Sequence, residues 1–339
     1  MPDTNDRKAA PVLEVTNLTT QFFTSTGVVH AVDAVSFSIP AGRALGLVGE
    51  SGSGKTVTAL SLIDLVPPPG VRVAGSIRFA GRDLMTMTSE EMRKVQGTEI
   101  AIVLQNPLTS LNPVQRIGDQ IVEIAKVHQG LSRAELTELA IKMLKMVHIS
   151  APSLRVRAYP HELSGGMRQR VAIATAVSCE PALLIADEPT TALDVTLQLQ
   201  IICVLQELRA SSSMALLLIT HDLGLAAELC DEIAVMYAGQ IVEKAPLKEI
   251  FGNPLHPYTQ GLIRSLPGQG QPRERLETIA GQPPDLISLP PGCRFADRCP
   301  HAVERCWEAR PALVQLDSGR EVRCFLHDSA VDEPLAVSA

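Results

Sequence analysis

The 339-residue chain has no apolar run long enough to cross a bilayer; its longest, such as Ala215 to Ile219, fall far short of the roughly 20 residues a helical span requires. No secretory leader is expected either, because Met1 to Ala10 is polar. A cytosolic protein is therefore expected, one that reaches a membrane only through a partner. An excess of basic residues is also missing. The net charge of −7 and an isoelectric point near 5.7 argue against nucleic acid as the main partner. There is no internal repeat, no low-complexity tract and no sustained heptad pattern, so solenoids and long coiled coils are excluded. What remains is an ordinary globular composition, 45% apolar and 20% charged, with length for about two domains.

The most informative run present is Gly49-Glu50-Ser51-Gly52-Ser53-Gly54-Lys55-Thr56, which has the G-x-x-x-x-G-K-[ST] form of a phosphate-binding loop. It follows the apolar segment Ala44 to Val48 and precedes a helix-compatible stretch, Val57 to Leu65. A buried strand turning into a helix is the context the motif needs. The three glycines let backbone N–H groups approach an anion, and the start of the helix adds its positive dipole end. Lys55 is placed to reach the β- and γ-phosphates, and the Thr56 hydroxyl to ligate Mg²⁺.

Residues 12 to 48 carry short β-rich runs, Val12 to Val15 and Val35 to Ile39, with Pro40-Ala41-Gly42 as a turn signal. After the first helix Pro67-Pro68-Pro69-Gly70 breaks the chain, and Gly75 to Phe79 reads as another strand. From about Asn106 to Cys179 the pattern turns helical; in Ala134 to Val147 the residues Leu136, Leu139, Ala140, Met143, Leu144 and Val147 recur at helical spacing. Ala182 to Ala186 and Ala215 to Ile219 then read as buried parallel strands. The fold expected is α/β, with a helical insertion at about 106–180 interrupting a nucleotide-binding core. Residues 267–292 hold six prolines and four glycines, which rules out a long regular element there.

Asp187-Glu188 closes the apolar strand Leu183 to Ala186. Alone, such a pair is most often a solvated turn; beside a triphosphate site, Asp187 can hold the Mg²⁺ shell and Glu188 can reach the γ-phosphate. Some twenty residues upstream stands Leu163-Ser164-Gly165-Gly166. Alone, Ser164 is as well explained as a plain helix cap. Taken in this order with the phosphate loop, these runs resemble the ATP-binding subunits of ABC transporters. The resemblance implies a P-loop NTPase core of RecA-like type with an antiparallel β subdomain. It also implies that Ser164, Gly165 and Gly166 face ATP bound to a second such subunit, across a dimer of identical or sister chains.

By the same resemblance Gln105 is the glutamine that senses Mg²⁺ and the attacking water, and Asn106 stands where aspartate is common. Glu188 polarises the water, Asp194 lies at the dimer interface, and His221 contacts the γ-phosphate. Phe22 is the adenine-stacking aromatic, with Phe23 as the alternative register. ATP with Mg²⁺ is the expected substrate pair.

Asn253 to Leu262, Leu289 to Phe295 and Arg298-Cys299-Pro300 resemble the ATPase subunits of bacterial dipeptide and oligopeptide importers, a likeness running from about Val12 to His327. Locally, His256-Pro257-Tyr258-Thr259 reads as a helix-start turn. The boundaries implied are 1–11 as a disordered N-terminus, 12–265 as the ATPase domain, 266–327 as a C-terminal region and 328–339 as a tail. The partners implied are a second ATPase subunit, two membrane permeases at the cytoplasmic face, and indirectly an extracytoplasmic solute-binding protein. The same machinery with another cargo, nickel or glutathione, stays open, as does a soluble ABC ATPase acting on DNA or the ribosome.

Cys293, Cys299, Cys306 and Cys324 fall within 32 residues, separated by five, six and seventeen residues. A reducing cytosol disfavours disulfides. The spacings lack C-x-x-C knuckles, so an iron–sulfur cluster, a mixed zinc site with His301 or His327, and unliganded thiols all remain open. The importer resemblance points to [4Fe–4S]. Cys179, Cys203 and Cys230 read as ordinary buried cysteines.

Overall fold

A computed structural model describes residues 11–105, 111–191, 193–266, 278–316 and 319–328. The N-terminal residues 1–10, the tail beyond residue 328, Asn106 and the first part of the Pro/Gly-rich stretch, residues 267–277, lie outside the described residues. The strands are β1 (Pro11–Thr24), β2 (Gly27–Pro40), β3 (Ala44–Val48), β4 (Gly70–Phe79), β5 (Arg82–Asp83), β6 (Ile100–Val103), β7 (Leu183–Asp187), β8 (Ala215–Thr220), β9 (Glu232–Tyr237), β10 (Gln240–Pro246), β11 (Val314–Gln315) and β12 (Glu321–Val322). They form an antiparallel sheet, β2-β1-β4-β5, and an eight-stranded sheet, β11-β12-β10-β9-β3-β8-β7-β6, parallel from β9 to β6.

The parallel strands are apolar on both faces because each face is covered. Alternation with period two sends Leu45, Leu47, Leu183, Ile185, Leu217 and Ile219 to one side, where they meet Ala59 and Leu62 of the helix Lys55–Leu62 and the inner face of the antiparallel sheet. Val48, Leu184, Ala186, Leu216 and Leu218 point the other way, onto Val171, Ile173 and Ala174 of the helix Gly165–Val177. A three-layer core results.

Several boundaries differ from the sequence reading. The helix after the phosphate loop ends at Leu62 rather than Leu65, since Asp64 takes a left-handed φ of 55°. β1 and β2 run for 14 residues each, well beyond their apolar kernels, because the antiparallel ladder recruits alternate polar residues. Between Ile117 and Val177 the described elements are all helical, among them Arg133–Met146, capped by Ser132 and Glu135 in a reciprocal box.

Among the described residues the C-terminal region forms no sheet of its own. β12 pairs antiparallel with β10 through Glu243 and Val322 and so lengthens the central sheet. Phe295 is buried in the main core, edge-on to Tyr237 at 5.2 Å between ring centroids and 5.4 Å from Tyr258. His256 heads the helix Pro257–Arg264, its Nδ1 accepting the Tyr258 N–H at 3.0 Å, so the helix-start reading holds. Of the three cysteines read as buried, Cys230 is buried, Cys179 is half-buried and Cys203 is exposed. It lies on the helix Val195–Ser211, whose inward stripe is filled by Ile201, Ile202, Val204, Leu205 and Leu208, which leaves position 203 on the outer face.

Candidate active site

The phosphate loop, Gln105, Glu188 and His221 all follow the carboxyl ends of parallel strands, at β3, β6, β7 and β8, and this is where an open α/β sheet presents its crevice. Backbone crowding dictates two of the glycines. A Cβ on Gly49 would come within 2.1 Å of the Met236 carbonyl, and Gly54 combines a φ of 102° with a Cβ position 2.2 Å from the Ala31 carbonyl.

Lys55 is buried, and its ammonium donates to the carbonyls of Gly49 at 2.8 Å and Glu50 at 2.9 Å. Burial pushes its pKa down, against the pull of Glu188, Asp187 and Glu50. Asp187, the last residue of β7, accepts the Thr56 hydroxyl at 3.3 Å. Its carboxyl is pushed up by burial and by the neighbouring charge of Glu188, with Thr56 and Lys55 opposing. These two hard oxygen donors, on separate elements beside the loop, suit Mg²⁺.

Glu188 is the hub. Its carboxylate accepts Gln105 Nε2 at 2.7 Å, the Thr191 hydroxyl at 2.8 Å and His221 Nδ1 at 3.1 Å. Partial burial pushes its pKa up, but the hydrogen bonds from Thr191 and His221 and the charges around it prevail and hold it below the ordinary value. The backbone here is left-handed, φ 46°, pinned by the Glu188 N–H to the Ile219 carbonyl at 2.8 Å. An ionised carboxylate is thus held ready in the wall of a cavity of about 320 Å³ lined by Phe22, Gly52, Gly54, Lys55, Thr56, Gln105, Glu188 and Leu286.

Phe22 lines that cavity, whereas Phe23 is 51% exposed and does not. Glu50, Ser51, Gly52 and Ser53 also border a smaller recess against Pro283, Pro284 and Leu286. Ser164 caps the helix Gly165–Val177, its hydroxyl accepting the Met167 N–H at 3.4 Å, and Asp194 caps Val195–Ser211 through the Leu197 N–H at 2.9 Å. Neither cap nor Gly165 nor Gly166 lines the phosphate-loop cavity. The structure therefore gathers Gln105, Asp187, Glu188 and His221 around the loop through their hydrogen bonds, while the Ser164–Gly166 run does not line the cavity. Thr191, Tyr258, Leu286 and Arg298, which also reach the loop or its carboxylate, were not foreseen. Thr191 follows Glu188 by three residues, a local hydroxyl signal; the others are distant in sequence.

The four tail cysteines line one cavity of about 40 Å³ together with His256, His301 and the apolar Phe295, Val303 and Phe325. Burial raises the pKa of Cys293 and Cys299, and that of Cys324 to about 11, with the neighbouring thiols adding to it. Among the described residues no three His, Cys, Asp or Glu side chains converge as ligands of a single metal ion. Neither the zinc nor the iron–sulfur expectation gains support from this arrangement.

Comparison with known proteins agrees with the geometry. Residues 32–191 match the ABC transporter family, and residues 242–306 match the oligopeptide/dipeptide transporter C-terminal region. Among solved structures, the dimeric post-hydrolysis state of the ATP-binding cassette MJ0796 with ADP and Pi aligns with TM-score 0.62 at 25% identity, over 69% of this chain and 98% of that one. CbiO1 from Clostridium perfringens aligns with TM-score 0.61 at 26% identity, over 72% and 91%. Among curated proteins, the oligopeptide transport ATP-binding protein AppD of Bacillus subtilis is 48% identical over 94% of this chain and 97% of its own length. The dipeptide transport ATP-binding protein DppD of Escherichia coli is 48% identical over 92% and 96%. The chain belongs to the ABC transporter ATPase subunits, in the branch that carries the oligopeptide/dipeptide C-terminal region.

Proposed function

We propose that this subunit hydrolyses ATP to drive import of dipeptides or oligopeptides through two membrane permeases, working as one of a pair of cassettes at the cytoplasmic face. The observation that carries the reading is the Glu188 carboxylate held by Gln105, Thr191 and His221 in the wall of the phosphate-loop cavity. Phosphoryl transfer asks for positioning and charge neutralisation more than covalent chemistry. Lys55 leaves its carbonyl partners for the incoming phosphates. Gln105 and His221 release Glu188, whose carboxylate takes a proton from the attacking water as the water oxygen bonds to the γ-phosphorus. The bond to the β-phosphate oxygen breaks, giving ADP and phosphate, and His221 steadies the charge on the transferred group. Mg²⁺, when bound, neutralises phosphate charge and is held by Thr56, Asp187 and Gln105.

The separation of Ser164, Gly165, Gly166 and Asp194 from this cavity supports a site finished by the opposite subunit, so that hydrolysis is tied to closing and opening of the pair. Phe22 is the aromatic for adenine. The chain divides at about residue 265, and the C-terminal region beyond it packs against the cassette, adding a strand to its central sheet. A groove of about 960 Å³ on the helical part, lined by Arg116, Asp119, Lys126, Arg133, Leu136 and Arg157, is offered to a cytoplasmic segment of the permease. Peptide is the cargo favoured because AppD and DppD are named for it.

The finer reading of the cysteine pocket is a [4Fe–4S] cluster on Cys293, Cys299, Cys306 and Cys324. Four cysteines around one mainly apolar cavity are the donor set such a group takes. Bound, it would stabilise the thiolates that burial disfavours. Anaerobic purification should give a coloured protein with iron and sulfide, lost in Cys293→Ser; a colourless, iron-free product excludes the cluster.

The import reading is tested by solubilising membranes from cells expressing the tagged chain beside its neighbouring permeases. Both permeases should elute with it. A chain recovered without any polytopic membrane protein would favour a soluble ABC ATPase instead.

A further inference from the structure

We infer that Arg298, from the C-terminal region, is a positioning residue of the ATP site: it neutralises and fixes Glu50 inside the phosphate loop. The two side chains lie 248 residues apart in sequence and form a two-pronged ion pair, Nη1 to Oε2 at 2.8 Å and Nη2 to Oε1 at 2.9 Å. The arginine side chain is only 4% exposed. It is held from every side. Nη1 also donates to the Tyr237 hydroxyl at 3.3 Å, Nε donates to the Ala280 carbonyl at 2.9 Å, and the guanidinium lies over the Tyr237 ring, 5.6 Å from its centroid.

Glu50 is also bound through its backbone. Its N–H donates to the Tyr258 hydroxyl at 2.9 Å, and its carbonyl is one of the two that hold the Lys55 ammonium. A carboxylate within a loop that must take a triphosphate repels its own ligand unless that charge is cancelled. Arg298 cancels it and, with Tyr258, sets the position of the peptide group on which Lys55 rests. Leu286 of the same region lines the nucleotide cavity, and its carbonyl accepts the His30 N–H at 3.0 Å. Residues beyond Leu266 are thus part of the ATP site rather than an appendage to it.

A purely structural role for Arg298, pinning the C-terminal region to the sheet, predicts different behaviour from charge compensation. Calorimetric MgATP binding to the purified full chain separates the two. Arg298→Ala should weaken binding about tenfold, the scale of a charged hydrogen-bond pair. Arg298→Lys, which keeps the charge without the fork, should fall between. Glu50→Gln in the Arg298→Ala background should restore affinity to within about threefold of wild type, because the uncompensated carboxylate is gone. Wild-type affinity in Arg298→Ala, or a double variant no tighter than that single one, overturns the inference. Should Arg298→Ala not fold, Arg298→Lys and Glu50→Gln decide it. The inference then requires a modest loss in the first and none in the second, and a tenfold loss in Glu50→Gln contradicts it. The proposal rests on Gly49–Thr56 binding ATP; if that reading failed, the wild-type chain would show no MgATP binding at all.

Discussion

Replacing Glu188 by glutamine isolates the chemical role of its carboxylate, because the amide keeps the side chain's shape. The oxygen that accepts both Gln105 at 2.7 Å and Thr191 at 2.8 Å can remain a carbonyl oxygen. The other corner becomes an NH₂ facing His221 Nδ1, now 3.1 Å from the carboxylate, and a neutral imidazole can accept it there. Three contacts therefore survive, and the stability change should stay within roughly 1 kcal/mol. What disappears is the proposed acceptor for the water's proton. General-base removal costs about 100- to 10,000-fold in rate, or about 3 to 5 kcal/mol of barrier. MgATP affinity should hold within about threefold, since the loss removes a negative charge near the γ-phosphate. The assay is phosphate release at saturating MgATP beside equilibrium nucleotide binding on the same preparation. Turnover within threefold of wild type, with binding intact, would take Glu188 out of the base role.

Three further outcomes follow from the same geometry. Lys55→Ala should weaken ATP binding by about 10- to 100-fold, the worth of one charge-assisted contact; nucleotide titration checks it, and unchanged affinity counts against the phosphate loop. Glu243→Ala should lower the melting temperature by on the order of 10 °C, from a loss of about 3–5 kcal/mol. That carboxylate is fully buried, accepts the Leu255 and His256 N–H groups at 2.9 Å each and pairs with Arg320, so a scan showing no shift would refute the buried-pair reasoning. His256 has its pKa driven down to about 3 by burial, with the charges of His327 and Arg323 adding to it. The unfolded chain takes up this proton below pH 6.5 while the folded chain does not. The stabilisation is therefore complete above pH 6.5 and is lost as pH falls, by roughly 2 kcal/mol at pH 5. Urea midpoints at pH 7 and pH 5 should converge in His256→Asn, which can still cap the helix; an unaltered slope rules His256 out.

The catalytic half of the molecule was legible because its residues sit at strand ends that announce themselves. Buried parallel strands are short apolar runs, and the chemistry lies one or two residues beyond each, as with Glu188 after β7 and His221 after β8. Ser164 was legible in the same way, as a cap before a helix. The C-terminal region was not. β12 is two residues long and joins the sheet through Glu243 and Val322, with no period to detect. The ion pair between Arg298 and Glu50 spans most of the chain, and a side-chain pair at that separation leaves no trace in local composition. Cys203 was misread because residue type alone sets burial only on average, while its place on the outer stripe of a helix decided the case.

The central claim is that ATP hydrolysis at this site drives peptide across a membrane. Its most direct measurement is labelled-peptide accumulation in vesicles containing the chain, its partner ATPase and both permeases, with peptide-loaded binding protein on the opposite side, read beside phosphate release. Accumulation should require ATP on the cassette side and fall with phosphate release when Glu188→Gln replaces the wild-type chain. Peptide accumulation that persists unchanged in that variant, or phosphate release that proceeds with no accumulation of any peptide, would contradict it.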